Sequence, residues 1–177
     1  MIPLTNKEAS LLGLLSEGPK YPYEIEKEID SRSMRDWTEI SMSSVYKVLE
    51  RLEQRGLVAS EVKLSESNRA QKVYQATAAG LEQMRSWVIT KISSWERCLW
   101  PLDIAISNLP LLSRAETVEG LESYICSVDE AIQCYQDLLV YLKEHCQPHS
   151  WSLALRPLHL LRAEKAWAEE VVEGERV

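Results

Sequence analysis

The spacing of apolar residues changes at Gly56, and this change narrows what the first part of this 177-residue chain can fold into. Before Gly56, apolar residues recur at intervals of three and four, as in helices that bury one face; after it they alternate with polar ones, as in a strand. Thr5-Asn6-Lys7-Glu8 has the S/T-x-x-E form of a capping box and precedes Ala9, Leu11, Leu12, Leu14 and Leu15, which predicts a first helix ending by Gly18-Pro19. Pro22 suits the first turn of a second helix, where its missing N–H costs nothing, and Ile25 and Ile29 share a face until Ser31 to Asp36 breaks the pattern. Ser41 is the expected N-cap of a third helix, with Val45, Val48, Leu49 and Leu52 as its buried stripe and Gly56 as its left-handed stop. Val58, Ser60, Val62 and Leu64 then alternate with Ala59, Glu61 and Lys63, and a second run, Lys72 to Ala76, follows a polar turn at Ser65 to Asn68. The pair predicts a hairpin with a cationic tip.

Three helices followed by a two-stranded hairpin is the order of a winged helix-turn-helix, in which the third helix enters the major groove and the hairpin, or wing, reaches the flanking backbone. From Thr77, an N-cap candidate, the chain reads as helical throughout, with Leu81, Met84, Val88 and Trp95 on roughly one face. Pro101 and Pro110 punctuate a hinge from Arg97 to Pro110. Val118, Leu121, Ile125, Val128, Ile132, Tyr135, Leu139, Leu142 and Cys146 then recur at alternating intervals of three and four, the seam of helices that pack along their length and need a partner. Pro148 stops that helix, and a last one runs from about Leu153 or Pro157 to Val172. The expected fold is mainly α with a small β-hairpin: a winged helix-turn-helix over residues 1–80 and a helical domain over 81–177.

Charge bears on the partner. The net charge of −7 opposes nucleic-acid binding on average, since phosphate contacts need cations. The acidity is uneven: residues 1–80 carry 11 Lys and Arg against 12 Asp and Glu, residues 81–177 carry 9 against 15, and residues 41–72 hold six cations against four anions. No apolar run is long enough for a membrane span and the start lacks the pattern of a signal peptide, so a cytoplasmic protein without membrane contact is expected. Cys98, Cys126, Cys134 and Cys146 form no C-x-x-C pair and read as reduced thiols; a metal site at His145, Cys146 and His149 and a redox switch at the seam cysteines are both disfavoured. No G-x-S-x-G, Walker loop, dinucleotide fingerprint or H-E-x-x-H occurs, so neither an enzyme nor a cofactor or metal is expected.

Several segments together resemble the PadR family of bacterial transcriptional regulators. They are Leu12-Gly13-Leu14-Leu15, Gly18 to Ile25, Ile40-Ser41, Ser44 to Glu53, Gly56-Leu57-Val58, and Tyr74 with Thr77 and Gly80. The resemblance covers residues 2 to about 90, and Pro101 to Ala105 and Ala163 to Trp167 are similar in layout to the C-terminal helices of longer members. Family members usually carry Gly where this chain has Pro22, which predicts an altered approach to the DNA backbone there but no loss of the fold. The resemblance implies a homodimeric winged-helix repressor, dimerised by its C-terminal helices, whose DNA affinity a small molecule changes. A dimer places two reading helices in successive major grooves, so a pseudo-palindromic double-stranded operator with half-sites roughly 34 Å apart, or a multiple of it, is expected.

By the geometry of that fold, Ser43, Ser44, Tyr46 and Lys47 are expected at base edges and Arg51 at the backbone, with Arg55 nearer a helix-end role. Tyr21 and Tyr23 open the second helix, one against the DNA backbone and one in the core; Lys63, Arg69 and Lys72 on the wing are the remaining contacts. Six tryptophans and no phenylalanine suggest an aromatic effector pocket from Trp87, Trp95, Trp100 and Trp151, against the simpler reading that they pack core and interface. Leu121, Ile125, Val128, Ile132, Tyr135, Leu139, Leu142 and Trp167 are the expected dimer contacts. The rival is a winged-helix module that binds another protein and never touches DNA. The acidic balance favours it, and the cations on the third helix and wing oppose it.

Overall fold

A computed structural model describes residues 2–38, 40, 45–64 and 70–176, and the chain divides into two compact units, Met1–Arg97 and Cys98–Val177. Helix α1, Asn6–Ser16, opens on the expected capping box: the Thr5 amide donates to Glu8 Oε2 at 2.9 Å and the Glu8 amide to Thr5 Oγ1 at 3.3 Å. Helix α2, Pro22–Ser31, starts on proline, and the Tyr21 amide donates to Glu24 Oε2 at 2.8 Å. Left-handed Ser33, with φ of 46°, and a 3-10 turn at Met34–Asp36 end that segment. Helix α3, Val45–Gln54, buries Val45, Val48, Leu49 and Leu52, the stripe its spacing predicts. The expected N-cap Ser41 lies outside the described residues.

The exit from α3 is a Schellman turn. The Leu57 amide donates to the Leu52 carbonyl and the Gly56 amide to the Glu53 carbonyl, both at 2.9 Å, with Gly56 at φ +69°. Strands β1, Val58–Leu64, and β2, Ala70–Ala76, pair antiparallel with Val58 opposite Ala76 and Ser60 opposite Tyr74. The link between α1 and α2 joins them: Lys20 and Tyr74 exchange two backbone hydrogen bonds of 2.9 Å. Leu11, Leu12, Ile25, Ile29, Leu49 and Leu52 lie at the centre of the resulting core, fully shielded from solvent.

Helix α4, Ala78–Ser93, belongs to this first unit, so the boundary falls after Arg97 and not at residue 80. The reason is local packing. Thr77 caps α4 by accepting from the Gly80 amide at 3.0 Å, and its hydroxyl donates to the Gly56 carbonyl at 2.8 Å. Gly80 sits so close to the corner after α3 that a Cβ there would lie 2.1 Å from the Leu57 carbonyl oxygen. This contact sets the rotation of α4. Gly80, Gln83, Met84 and Trp87 turn inward, whereas Leu81, Val88 and Trp95, expected on the packed face, are exposed.

In the second unit the expected hinge is instead partly helical: α5 covers Pro101–Ser107, with proline in the first turn where it is tolerated. Helix α6, Arg114–His145, begins on a capping box of Ser113 and Glu116, and α7 covers Ser152–Arg176 after a 3-10 turn at Pro148–Trp151. The last helix thus starts before Pro157, which lies inside it, and runs past Val172. Helices α6 and α7 pack antiparallel: the Tyr124 hydroxyl donates to Glu164 at 3.0 Å, and Lys165 pairs with Asp129 at 2.6 Å. Burial, reinforced by the Glu164 carboxylate, pushes the Tyr124 hydroxyl up to about 12. Among the described residues, no helix is long and apolar enough to cross a membrane.

Candidate nucleic-acid interface

One side of α3 is sealed into the core by Val45, Leu49 and Leu52; the other presents Tyr46, Lys47 and Arg51 to solvent. Tyr46 is 57% exposed, too open for an aromatic whose role is packing. Arg51 Nη1 lies 4.0 Å from Glu8 Oε1, a loose contact that leaves the guanidinium largely in water. Ser43 and Ser44, the expected base-edge residues, lie outside the described residues, as does Arg69.

Arg55 differs from its neighbours on the cationic stripe. Its Nη1 lies 3.0 Å from Oε1 of Glu8, a carboxylate only 1% exposed, in a charge contact not aligned as a hydrogen bond. Its Nη2 donates to the Ile2 carbonyl at 2.7 Å, which also accepts from Gln83 Nε2 at 2.6 Å. Burial raises the Glu8 carboxyl, but the Thr5 amide, the Arg55 guanidinium and the Thr5 hydroxyl outweigh it and hold the group below its ordinary range. Arg55 therefore ties the start of α1, the end of α3 and α4 together. Sequence reasoning missed this network, because a capping-box glutamate and a helix-end arginine each have a local explanation and their meeting is tertiary.

Tyr21 and Tyr23 stack with ring centroids 5.5 Å apart; Tyr21 is half-buried and Tyr23 is 58% exposed, so neither lies in the core, where one of them is expected. On the wing, Lys63 lies 3.4 Å from Glu61, and Lys72 lies 3.5 Å from Glu53 and 5.8 Å above the Tyr74 ring. Glu53 was not anticipated. Its carboxylate, on the last turn of α3, accepts from the Ser60 hydroxyl, and that bond with the nearby Lys72 ammonium keeps it below the ordinary range against a smaller effect of burial. Both ammonium groups thus stay at the surface beside carboxylates.

The four tryptophans expected to line one effector pocket divide between the units. In the first, Trp87 is half-buried against the core with its indole N–H unpartnered, while Trp95, past the end of α4, is 85% exposed. In the second, Trp100 is 60% exposed and Trp151 half-buried, with Lys143 Nζ 5.9 Å from its ring centroid. The expected dimer seam is also corrected. Leu121, Val128 and Leu142 are buried within one chain, because α7 folds back along α6 and supplies the partner that the spacing requires. Ile125, Ile132, Tyr135, Leu139 and Trp167 are half-buried, and Val140, Tyr141, Leu153 and Leu160 are at least half exposed on the same two helices. Among the described residues, no group of His, Cys, Asp and Glu could hold a metal ion, and the four cysteines are exposed and unpaired.

A family profile described as the transcriptional regulator PadR-like family matches residues 11–86. No curated protein sequence matches the chain. Among solved structures, Bacillus subtilis PadR in complex with operator DNA is 18% identical, with a TM-score of 0.77 over 96% of this chain and 98% of that one. The same protein in complex with p-coumaric acid is 17% identical, with a TM-score of 0.80 over 100% and 99%. A PadR-like transcriptional regulator from Bacillus cereus is 16% identical, with a TM-score of 0.64 over 96% and 97%. At these identities the likeness shows the fold, mainly helical with a winged helix-turn-helix, and the match of residues 11–86 shows the family of that domain.

Proposed function

Residues 11–86 belong to the transcriptional regulator PadR-like family, and from that premise we propose that the chain is a sequence-specific DNA-binding repressor that acts as a homodimer and is released by a small aromatic effector. The observation that carries the DNA reading is the outer face of α3. Tyr46, Lys47 and Arg51 stand exposed on a helix whose opposite face is locked in the core, with Lys72 beside its last turn and Lys63 exposed on the same hairpin. Such a helix can enter a major groove without unfolding anything. Ser43, Ser44 and Arg69 complete the proposed contacts, with Tyr21 or Tyr23 on the backbone.

Homodimerisation is supported by the apolar side chains that α6 and α7 leave in water after packing on each other. The first unit, α4 included, is accordingly read as the DNA-binding part and the second as the dimerisation part. An effector would act by binding one separation of the two reading helices better than another, since only differential affinity shifts such an equilibrium. The p-coumaric acid complex of the Bacillus subtilis neighbour supports an aromatic acid as the class.

The test is anisotropy of the full chain on a duplex selected by it from a randomised pool, against a scrambled duplex, at two salt concentrations. Preference for the selected duplex, with a log–log salt slope of about −0.9 per phosphate neutralised, is expected. Lys47→Ala should weaken that binding about tenfold while leaving the oligomer intact. Equal, weak binding to both duplexes would favour the protein-interaction module instead.

A further inference from the structure

We infer that Glu53 is a positioning residue for DNA binding, fastening the wing to the last turn of the reading helix through Ser60 and Lys72. This rests on the proposed DNA reading and adds to it a residue that touches no DNA.

The backbone turn at Gly56 and the Lys20 bridge to Tyr74 fix the hairpin as far as the Ser60–Tyr74 pair but nothing beyond it. Val58, Val73 and Tyr74 are buried and Ser60 half-buried, whereas Val62, Lys63, Leu64, Ala70 and Lys72 are exposed and Gln71 half-buried, so beyond Val73 the wing is a two-stranded ribbon without a covering layer. Such a ribbon has little stability of its own and can swing about its base. In the antiparallel register Val58, Ser60, Tyr74 and Lys72 share a face, because alternate residues of paired strands point the same way. Glu53 meets that face. One carboxylate oxygen accepts from the Ser60 hydroxyl on β1, the other lies 3.5 Å from the Lys72 ammonium on β2, and Lys72 lies over the Tyr74 ring. One side chain of the reading helix therefore ties β1 at the Lys20 bridge and β2 one pair beyond it.

The sign of its effect separates this role from a bystander's. A carboxylate near a DNA-binding face repels phosphate, so if Glu53 were merely solvated its removal would tighten binding. As a tie that sets the wing's angle, its removal should weaken specific binding, since the wing then has to be ordered on the DNA.

The experiment compares Glu53→Ala, Glu53→Gln and Ser60→Ala with the wild-type chain on the selected and scrambled duplexes, with amide hydrogen exchange of residues 58–76 measured without DNA. Glu53→Ala and Ser60→Ala should lose about tenfold in affinity for the selected duplex, the order expected when a hydrogen bond to a charged group no longer fixes the geometry, with no loss on the scrambled one. Exchange in the wing should rise in both. Glu53→Gln keeps an acceptor for Ser60 but not the charge that holds Lys72, and should restore part of the affinity and protection. If Glu53→Ala binds the selected duplex as tightly as wild type, or if Gln fails as Ala does, the inference is overturned while the DNA reading stands. A wild-type chain that does not discriminate between the duplexes removes the DNA reading and this inference with it.

Discussion

The two units of the molecule solve the problem of apolar burial to different extents. In the first, three helices cross one another and a hairpin closes the side they leave open, so Leu11, Leu12, Ile25, Ile29, Leu49 and Leu52 see no solvent. In the second, two long antiparallel helices bury one stripe each, at positions such as Leu121, Val128, Leu158 and Val172, and leave Val140, Tyr141, Leu153 and Leu160 outside. A helix pair has one contact face, and apolar residues beyond that stripe need a third surface. The difference teaches that crossing helices with a hairpin enclose a core, whereas a helix pair alone buries a stripe; α4 in the first unit and α6 and α7 in the second leave apolar residues in water, and for those of α6 and α7 we propose a second copy as the cover.

Several perturbations break or sharpen this contrast, beginning with the strongest. Leu49→Ala, at a fully buried position of the first unit, should cost about 3 kcal/mol in chemical denaturation and lower the first unit's transition alone. Removing the buried carboxylate by Glu8→Ala should cost about 2 kcal/mol and be strongly non-additive with Arg55→Ala, because each leaves the other charge without its partner. Acid probes the same contact. The folded carboxyl of Glu8 lies below its unfolded value, so its contribution is present above the unfolded pKa, about 4.3, and is lost as pH falls through the folded one. Glu8→Gln should flatten the fall of stability below about pH 5, seen as the slope of unfolding free energy against pH.

The second unit should respond to dilution. If a second copy completes it, its stability per dimer falls by about 1.4 kcal/mol for each tenfold dilution, while the first unit's transition stays put. A melting curve indifferent to concentration would break the comparison. The smallest effect is expected at the surface: Lys165→Ala removes an exposed pair with Asp129 and should leave the melting temperature unchanged within error.

Much of the first unit was legible because its signals are local. The Thr5 and Glu8 box, Pro22, the Val45 to Leu52 stripe and the left-handed Gly56 each specify an element from within a few residues, and all stand where their chemistry places them. Helix α4 shows where that ends. Leu81, Met84, Trp87, Val88, Ile89 and Ile92 put apolar groups on more than one face, so spacing could not say which face packs; the close approach of Gly80 to the Leu57 carbonyl decides it. Pro101 suggested a hinge but serves as a first helical residue, because the same lack of an N–H suits both. In the candidate interface the exposure of Tyr46, Lys47 and Arg51 was legible from their offset to the buried stripe. Glu53 and Arg55 were not, since their partners Ser60, Lys72, Glu8 and Ile2 are set by the fold.

By itself the sequence determined the order of the helices and hairpin of the first unit, the stripe that α1, α2 and α3 each bury, and the need of the long heptad helix for a partner. These follow from propensity, capping and period, which act along the chain. Only the tertiary structure decided which partner that is and which charges meet. A period of alternating threes and fours states that a face must be covered, but α7 of the same chain covers Leu121, Val128 and Leu142 because a turn at Pro148–Trp151 brings it back alongside. Likewise Arg51 and Arg55, one helical turn apart, differ in that one faces water and the other a buried carboxylate, a distinction made by the position of α1 and by nothing within α3.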